Sequence, residues 1–538
     1  MNFLRTTKLC SIVVAATLTS MFGLGDSAVA QHLSNQDGIE ILTRGPVHEA
    51  FAETVAFDPE PGIVISQAPP DPIEEIAPNR RPEGPNVAWI PGYWGWDDER
   101  NDFVWISGIW RALPPGRQWI PGYWTQVQQG AQWISGYWAD ATLTEFEYLP
   151  EPPATIEAGP SAEATSADQI WLPGCWVWHQ NRYAWRPGYW AQGNPDWDWV
   201  PAHYVWTPSG YVFVDGYYDY SVRSRGVVFA PVYFNNNLRR QRDYRYSPTA
   251  VINASALVRH LFLRPTYGHY YFGDYYGSNY TNAGFTPWFS YQSSREGYDP
   301  IYVSQRWQHR SDRDWEHQAE ANYQHLRNDE KSRPPRSWAA QAELAKNAQA
   351  SKQRNVAVAS QLDELAQRKN ARLRFQQVEA AEQQQSGQRG QEYRKYLQQR
   401  QQLEANTPRQ PGANPATTIE PQRRGFGRSP FAAPAVDQFT GDQAPPQRHQ
   451  VGEPDLQVQP HPKQRSNAAE ARPDIKPRGA GRAPEQIQYD PSGRQKDVGK
   501  GNKRDPSGGK PDQQRGSGGN NGNKQGKANN KPDKKSKK

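Results

Sequence analysis

Residues that could carry out chemistry are few in this 538-residue chain, and they are scattered. His260, His269 and Asp274 are the one candidate polar cluster, because a metal site or an acid–base pair needs such groups to converge. Hydrogen-bonded surface groups are the competing interpretation of the same residues. His48 and Glu49 form an isolated pair with no third residue at ligand spacing, and we interpret them as surface residues. We predict no metal site, no cofactor and no catalytic residue.

Cysteine and motif content point the same way. Cys10 lies in the N-terminal hydrophobic segment, so a chain cleaved after that segment keeps only Cys175 and has no intramolecular disulfide. Cys175 is an intermolecular bridge, a reactive thiol, or simply a small residue on a half-buried sheet face, and we favour the last interpretation. No Gly-x-Ser-x-Gly, His-Glu-x-x-His, Walker or dinucleotide signature is present, which favours a non-enzymatic protein.

Tryptophan carries the strongest signal through its number and spacing, with 21 residues in the chain. A Trp-x-x-Gly-x-Trp motif occurs six times, and weaker copies begin at Trp199, Phe213 and Val228. Within the runs that start at Trp105 and Trp171, successive copies begin about 14 residues apart. The residues that we predict to build the repeat are Trp89, Gly92, Trp94, Trp105, Gly108, Trp110, Trp119, Gly122, Trp124, Trp133, Gly136, Trp138, Trp171, Gly174, Trp176, Trp185, Gly188 and Trp190.

A period this short excludes a βαβ unit or a helical hairpin, but it accommodates two short strands and two turns. Pro before Gly in most copies is typical of a type II β-turn. If that turn closes a hairpin, the two tryptophans of one copy face each other across the strands. Because tight hairpins prefer primed turns, the alternative is a sharp Pro-Gly bend between sheet layers. Side-chain alternation predicts a single sheet with one nearly continuous tryptophan face.

The motif and the order of its copies resemble the WXXGXW (or YXWGXW) repeat family of exported bacterial proteins, in particular its long planctomycete-type members. The resemblance covers about residues 40–300 of the chain. It implies export and a repeat architecture, and it assigns no activity to any residue.

Composition divides the rest of the chain into distinct regions. We predict a mainly β repeat domain of short antiparallel strands, followed by an extended α-helical segment and a long disordered tail. The predicted regions are a signal peptide (1–30), an acidic Pro-rich segment (31–85), repeat block 1 (86–138), a linker (139–170), repeat block 2 (171–234), a Tyr-rich extension (235–300), a helical region (301–405) and a disordered, basic tail (406–538). Within the helical region we expect one helix from Trp338 to about Glu382 and another from Glu392 to Leu403.

The two ends of the chain indicate where it acts. Arg5 and Lys8, followed by an apolar run and Ala28-Val29-Ala30, predict a cleaved signal peptide and export to the periplasm, the cell envelope or the exterior. We expect no transmembrane span after cleavage. Residues 494–538 contain 14 Lys or Arg against 4 Asp, so this tail either binds an acidic polymer or keeps the protein soluble. No aromatic residues are interleaved there, and we predict no specific nucleic-acid binding.

The tryptophan face has three possible uses. It forms the core, it provides an exposed platform for a glycan or another envelope component, or its strand edges pair with further copies of the protein. Trp96, Trp178 and Trp206, just outside the repeated pair, are the first candidates for an exposed platform. We expect a non-enzymatic, envelope-associated structural or scaffolding protein. A carbohydrate- or polymer-binding module is the alternative, and a hydrolase is the least favoured.

Overall fold

The computed structural model describes residues 38–291, 296–346, 356–368, 373–405, 421–425, 427–441 and 444–446. The predicted signal peptide and the basic stretch 494–538 lie outside these residues. Short strands dominate the described part, nearly all of them antiparallel, and the described helices follow residue 235. The predicted fold class is confirmed for this part of the chain. None of the helices described combines the length and the apolar character that crossing a membrane requires.

The repeats fold as four paired units, each built from two successive copies of the motif. In every unit the two inner strands form a hairpin, and the two outer strands pair with each other beyond a bend. Unit A comprises Val87–Ile90, Tyr93–Asp97, Asp102–Ile106 and Ile109–Ala112; unit B comprises Arg117–Ile120, Tyr123–Val127, Gly130–Ile134 and Tyr137–Asp140; unit C comprises Gln169–Leu172, Cys175–His179, Arg182–Arg186 and Tyr189–Gln192; unit D comprises Trp197–Val200, His203–Thr207, Gly210–Val214 and Tyr217–Tyr220.

Tryptophans pair between copies rather than within one copy. In unit A, Trp94 is opposite Trp105 in the inner hairpin, and Trp89 is opposite Trp110 in the outer ladder. The same register recurs as Trp124–Trp133 and Trp119–Trp138, as Trp176–Trp185 and Trp171–Trp190, and as Tyr204–Phe213 and Trp199–Tyr218. The prediction that the tryptophans of one copy face each other is wrong. Its alternative, a bend between layers at Pro-Gly, is confirmed.

The polar segments, and not Pro-Gly, form the hairpin tips. Gln180 and Asn181 at the tip of unit C have φ values of 49° and 58°, as a type I′ turn requires at both central positions. The six glycines of the full motifs have no positive φ, although other glycines of the chain do. The type II turn prediction is therefore wrong, and the motif glycine has another purpose.

The units do not merge into one sheet. The described strands form separate sheets of two to four strands, because every unit bends at its motif glycines. The predicted single sheet with one tryptophan face is wrong, although the short antiparallel strands are confirmed. Contact between units runs through side chains instead; for example, the indole N–H of Trp124 in unit B donates to the carbonyl of Trp94 in unit A at 2.8 Å.

Segments outside the repeats complete the core, against our prediction of extended linkers. Val47, Phe51 and Val55 from the N-terminal segment are buried with the repeat tryptophans. The strands of this segment are Ile39–Ile41, Gly45–Pro46, Val55–Ala56, Val64–Ile65, Glu74–Glu75 and Arg80–Pro82. Glu145–Leu149, in the predicted linker between the blocks, pairs with Gly210–Val214 of unit D and with Gln422–Gly425.

The chain after the repeats contributes further strands and the helices. The strands are Gly226–Val228, Val232–Phe234, Arg245–Tyr246, Ala250–Ile252, Leu261–Arg264, His269–Phe272, Thr286–Pro287, Gly297–Tyr298, Ala359–Gln361, Phe375–Gln377 and Gln422–Gly425. The α-helices are Asn236–Arg239, Ala254–Arg259, Ser278–Asn282, Trp288–Tyr291, Pro300–Gln308, Trp315–Asn328, Trp338–Lys346, Leu362–Gln367 and Ala380–Ala405, and the 3₁₀ turns are Pro265–Tyr267, Glu330–Ser332 and Val436–Gln438.

Two expectations about this region are corrected. A single helix was expected from Trp338 to about Glu382. Among the described residues of this range the structure has instead two short helices, Trp338–Lys346 and Leu362–Gln367. Strand Ala359–Gln361 lies between them, and strand Phe375–Gln377 follows the second. Disorder from residue 406 onward is wrong for the described residues after 420. Phe431 and Ala433 are fully buried there, and the backbone N–H of Trp119 in unit B donates to the Phe431 carbonyl at 3.0 Å.

Candidate functional site

Each unit narrows where its two motif glycines meet, and we call this point the glycine junction. The junction residues are Gly92 and Gly108 in unit A, Gly122 and Gly136 in unit B, Gly174 and Gly188 in unit C, and Ala202 and Gly216 in unit D. A Cβ on Gly136 would lie 2.7 Å from the Gly122 nitrogen and 2.5 Å from the Trp119 ring. The motif therefore needs glycine because backbone and indole approach so closely, and not because of its φ.

Glutamates from outside the motifs occupy three of these junctions. In unit A, the Glu75 carboxylate accepts hydrogen bonds from the backbone nitrogens of Gly92 and Gly108, both at 2.9 Å. It also accepts one from the indole nitrogen of Trp105 at 3.1 Å. Three N–H groups thus converge on one carboxylate, which is the arrangement of an anion-binding nest filled by the protein's own side chain.

Units B and C repeat the arrangement with other glutamates. Glu49 accepts from the Gly136 nitrogen at 2.9 Å and from the Trp133 indole at 3.0 Å. In unit C, Glu157 accepts from the Gly174 nitrogen and from the indole of Trp171 at 3.2 Å. A carboxylate therefore holds each of these three bends closed.

Burial sets the protonation of the two deeper glutamates. Loss of water raises the pKa of Glu49 to about 8 and that of Glu75 to about 7, while the N–H groups that face each carboxylate oppose the rise. Glu49 is only 1% exposed, which contradicts our interpretation of His48 and Glu49 as surface residues.

Backbone carbonyl groups of unit B also accept hydrogen bonds from a helix side chain. Arg400, on the helix Ala380–Ala405, donates to the carbonyls of Pro121 and Ser135 at 2.6 and 3.1 Å. Its guanidinium pairs with Glu404 at 2.9 Å, and Glu404 accepts a hydrogen bond from the Tyr123 hydroxyl at 2.7 Å. Both charged residues are buried, so this ion pair fixes the helix on unit B.

Two buried histidines complete the surroundings of Glu49. His48 Nδ1 accepts from the Ala50 nitrogen at 3.1 Å, so its Nε2–H donates to the Pro91 carbonyl of unit A at 3.1 Å. His269 lies 2.9 Å from the Tyr93 hydroxyl. Burial lowers the pKa of His48 to about 3 and that of His269 to about 4, so both rings are neutral near pH 7.

A cavity lined by His269 has a volume of about 10 Å³, less than a small molecule needs. The arrangement of Glu49, His48 and His269 therefore acts as a hydrogen-bonded structural connection between units A and B.

Units A and D are joined by four buried charges. The Arg111 guanidinium contacts both oxygens of Asp219 at 2.6 Å, and Arg225 lies 2.7 Å from Asp198 and 3.3 Å from Asp219. Asp198 and Asp219 are directly opposite each other across two strands, where like charges repel. The two arginines neutralise that pair, although burial still raises the pKa of Asp198 to about 6.

The three tryptophans predicted as a binding platform lie in different units. Trp96 in unit A is 7% exposed and packs edge-on against Phe103 at a centroid distance of 5.2 Å, so it is too deep for a platform. Trp178 in unit C and Trp206 in unit D are half-buried. Their role in binding stays a prediction.

The predicted polar cluster does not converge. His260 Nδ1 lies 2.7 Å from the Tyr276 hydroxyl, His269 faces Tyr93, and Asp274 lies among arginines such as Arg333, at 3.9 Å. All three residues are buried, so they are not the surface groups of the competing interpretation. Within the described ranges, no group of three or more His, Cys, Asp or Glu is arranged to hold a metal ion.

Cys175 is half-buried on its strand, where we expected it. Its sulfur lies 3.3 Å from the Arg186 guanidinium, and burial raises the pKa of the thiol. A raised pKa lowers the thiolate fraction and therefore the reactivity.

Sequence reasoning missed the junction glutamates, and part of the signal was present. Glu75 precedes Trp89 by the same 14 residues that separate Glu157 from Trp171. A glutamate one repeat period before the first tryptophan of each repeat block therefore indicated two of the three junction sites. Glu49 offered no such signal, because 87 residues separate it from Gly136.

These features define a repeat protein made of paired hairpin units, three of them closed around two motif glycines and unit D around Ala202 and Gly216. The WXXGXW repeat model, which describes two copies of the motif, matches residues 84–111, 119–139, 167–191 and 194–217. Each match corresponds to one of units A to D. Residues 84–217 therefore carry WXXGXW repeats, as the motifs predicted. No curated protein and no solved structure matches the chain.

Proposed function

We propose that the protein is a non-enzymatic, exported structural protein of the cell envelope, in which the repeat units form a rigid framework. The main support is that the polar groups at the glycine junctions bond within the chain. In units A, B and C the junction N–H groups donate to glutamates of the same chain, and the motif indoles pair with one another. A repeat satisfied in this way holds shape and positions what is attached to it.

Export is proposed from the N-terminal pattern of Arg5, Lys8 and Ala28-Val29-Ala30. The basic segment 494–538 would tether the framework to an acidic envelope polymer, with an envelope protein, a polysaccharide or a further copy of the chain as other partners.

Fractionation of a bacterial host that expresses the full chain tests this proposal. We expect a mature N-terminus at Gln31 and recovery with the envelope. A chain truncated after Pro446 should be released from that fraction at lower salt than the full chain. An unprocessed cytoplasmic protein, or turnover on a panel of ester, peptide and glycoside substrates, would contradict the proposal.

A carbohydrate-binding function is the second candidate, favoured by the exposure of unit C. Trp171, Trp176, Trp178 and Trp190 all keep part of their rings accessible, whereas most motif tryptophans of units A and B are buried. Exposed aromatic surface is typical of binding sites. Saturable quenching of tryptophan fluorescence by a defined glycan, lost in Trp178→Ala and retained in Trp96→Ala, would support it.

A further inference from the structure

A cavity of about 650 Å³ lies between units A and B on one side and the helix Ala380–Ala405 on the other, and the N-terminal stretch 69–77 also lines it. This volume is within the range of small-molecule sites. The wall formed by the repeats is aromatic and includes the half-buried rings of Tyr93 and Trp124. The opposite wall is one face of the helix.

That helix face is rich in carboxamides. Gln383, Gln388 and Gln391 line the cavity as exposed residues, and within the described part of the chain their side chains make no hydrogen bond. Each carboxamide offers both a donor and an acceptor. Trp89, which also lines the cavity, has an indole N–H without a hydrogen-bond partner among the described residues.

Two glycines keep the cavity open. Gly387 and Gly390 lie inside the helix, where glycine is an unfavourable residue. A Cβ at either position would meet no atom within 4 Å, and neither residue has a positive φ. Packing and backbone conformation therefore do not require glycine here, and its effect is to leave space in front of the aromatic wall.

The charges around the cavity are modest. The Glu75 carboxylate is already engaged by three N–H groups of unit A. Arg394 is exposed at the helix wall and has no acidic partner among the described residues. The exposed carboxylate of Glu74 also lines the cavity and lies 3.5 Å from the Arg245 guanidinium. The cavity thus combines aromatic rings, uncharged groups that both donate and accept, one cation and one paired carboxylate, which suits a neutral or mildly acidic polyhydroxylated ligand.

We propose that this cavity binds a short oligosaccharide of pyranose rings. The sugar C–H faces pack on Tyr93 and Trp124, and the hydroxyl groups, which also donate and accept, bond to the glutamine carboxamides. A proline-rich peptide fits less well, because its proline residues offer carbonyl acceptors without N–H donors. The inference does not depend on export or on a structural role.

Isothermal titration of the purified full-length chain tests the proposal with cellohexaose, chitohexaose and hexagalacturonate as probes. We expect saturable binding of at least one probe. Gly390→Leu should fill the cavity and weaken that binding at least tenfold without lowering the unfolding temperature, since leucine is the better helix former. Gln385→Leu is the matched control, because Gln385 is exposed on the same helix and does not line the cavity.

A second pair of variants covers the case in which Gly390→Leu unfolds. Gln388→Ala with Gln391→Ala should weaken binding severalfold, whereas Gln402→Ala, exposed elsewhere on the helix, should not. The proposal is overturned if no probe binds, if only a proline-rich decapeptide binds, or if the cavity variants bind as the wild type does. None of these outcomes bears on the fractionation experiment, so the two proposals fail separately.

Discussion

Units B and C have identical strand lengths and the same register, yet their tryptophans are buried to different depths. Three of the four motif tryptophans of unit B are at most 2% exposed, whereas three of the four in unit C are half-buried. The buried residues of unit B are Trp119, Trp133 and Trp138, and the half-buried residues of unit C are Trp171, Trp176 and Trp190.

Ring geometry within the two units is nevertheless the same. The outer pair has a centroid distance of 5.2 Å in unit B and 5.5 Å in unit C, and the inner pairs lie at 5.4 and 5.2 Å. The motif therefore determines the local hairpin and its indole pairs. Burial is determined by the segments packed around it, which are the N-terminal segment and the helix Ala380–Ala405 for unit B.

Replacing one outer tryptophan in each unit should give the largest difference in stability between units B and C. Trp138→Ala should lower the free energy of unfolding by about 4 kcal/mol, the usual cost of removing a buried indole. Trp190→Ala should cost about 1–2 kcal/mol, because part of its ring already contacts water. Denaturant unfolding followed by circular dichroism measures both losses. Equal losses would show that the motif itself, and not its surroundings, determines stability.

Removing the helix contact should destabilise unit B, to which Arg400 donates directly. Arg400→Ala leaves the buried Glu404 without its cation and two carbonyls of the unit without a donor, a loss of about 3 kcal/mol. The double variant Arg400→Met with Glu404→Leu should recover part of that loss, since it removes both charges but leaves the two carbonyls without a donor. A single variant as stable as the wild type would exclude a structural role for this ion pair.

Local features of this fold could be predicted from the sequence, because alternation and turn residues act over a few positions. These features predicted the short antiparallel strands, but they did not predict which tryptophans pair across the strands. Two turns compete in each copy, and the preference of hairpins for primed turns was the correct guide. Phe431 could not be predicted as a core residue, because a few large apolar side chains scattered through a Pro- and Gly-rich stretch give no periodic pattern.

The site was less predictable than the fold, for a physical reason. A glycine junction presents N–H groups that can donate to any nearby carboxylate. The motif therefore determines the donors but not which residue accepts from them. Glu75 and Glu157 stand at a fixed distance ahead of their units, whereas Glu49 reaches unit B only through the tertiary fold. Sequence position alone therefore suggested a solvated acidic segment.

Truncating the junction glutamates should give a smaller difference in stability between units B and C. Glu49→Ala leaves the Gly136 N–H and the Trp133 indole without an acceptor inside the core, at a cost of about 2 kcal/mol. Glu157→Ala should cost about 0.5 kcal/mol, because water can reach that half-buried junction. Unfolding midpoints of the two variants provide the comparison. A larger loss for Glu157→Ala would reverse our ranking of the units.

The pH dependence of stability should show the smallest effect, because two buried groups oppose each other. Glu49, with a pKa of about 8 when folded and an ordinary value near 4.5, binds its proton more tightly in the folded state. Its contribution to stability is complete below about pH 4.5 and is lost as pH rises toward 8. His48, with a pKa lowered to about 3, contributes stability that is complete above its ordinary value of 6.5 and is lost below it.

Between pH 4.5 and 6.5 these two contributions change in opposite directions and largely offset each other, whereas between pH 6.5 and 8 only the Glu49 contribution falls. Glu49→Gln removes the carboxyl contribution and leaves that of His48. The variant is destabilised overall, because its amide N–H₂ group faces the donors of the junction, but its unfolding temperature should rise more steeply with pH than that of the wild type. Calorimetry at several pH values measures the slope. A Glu49→Gln curve that runs parallel to that of the wild type would show that Glu49 binds no extra proton in the folded protein.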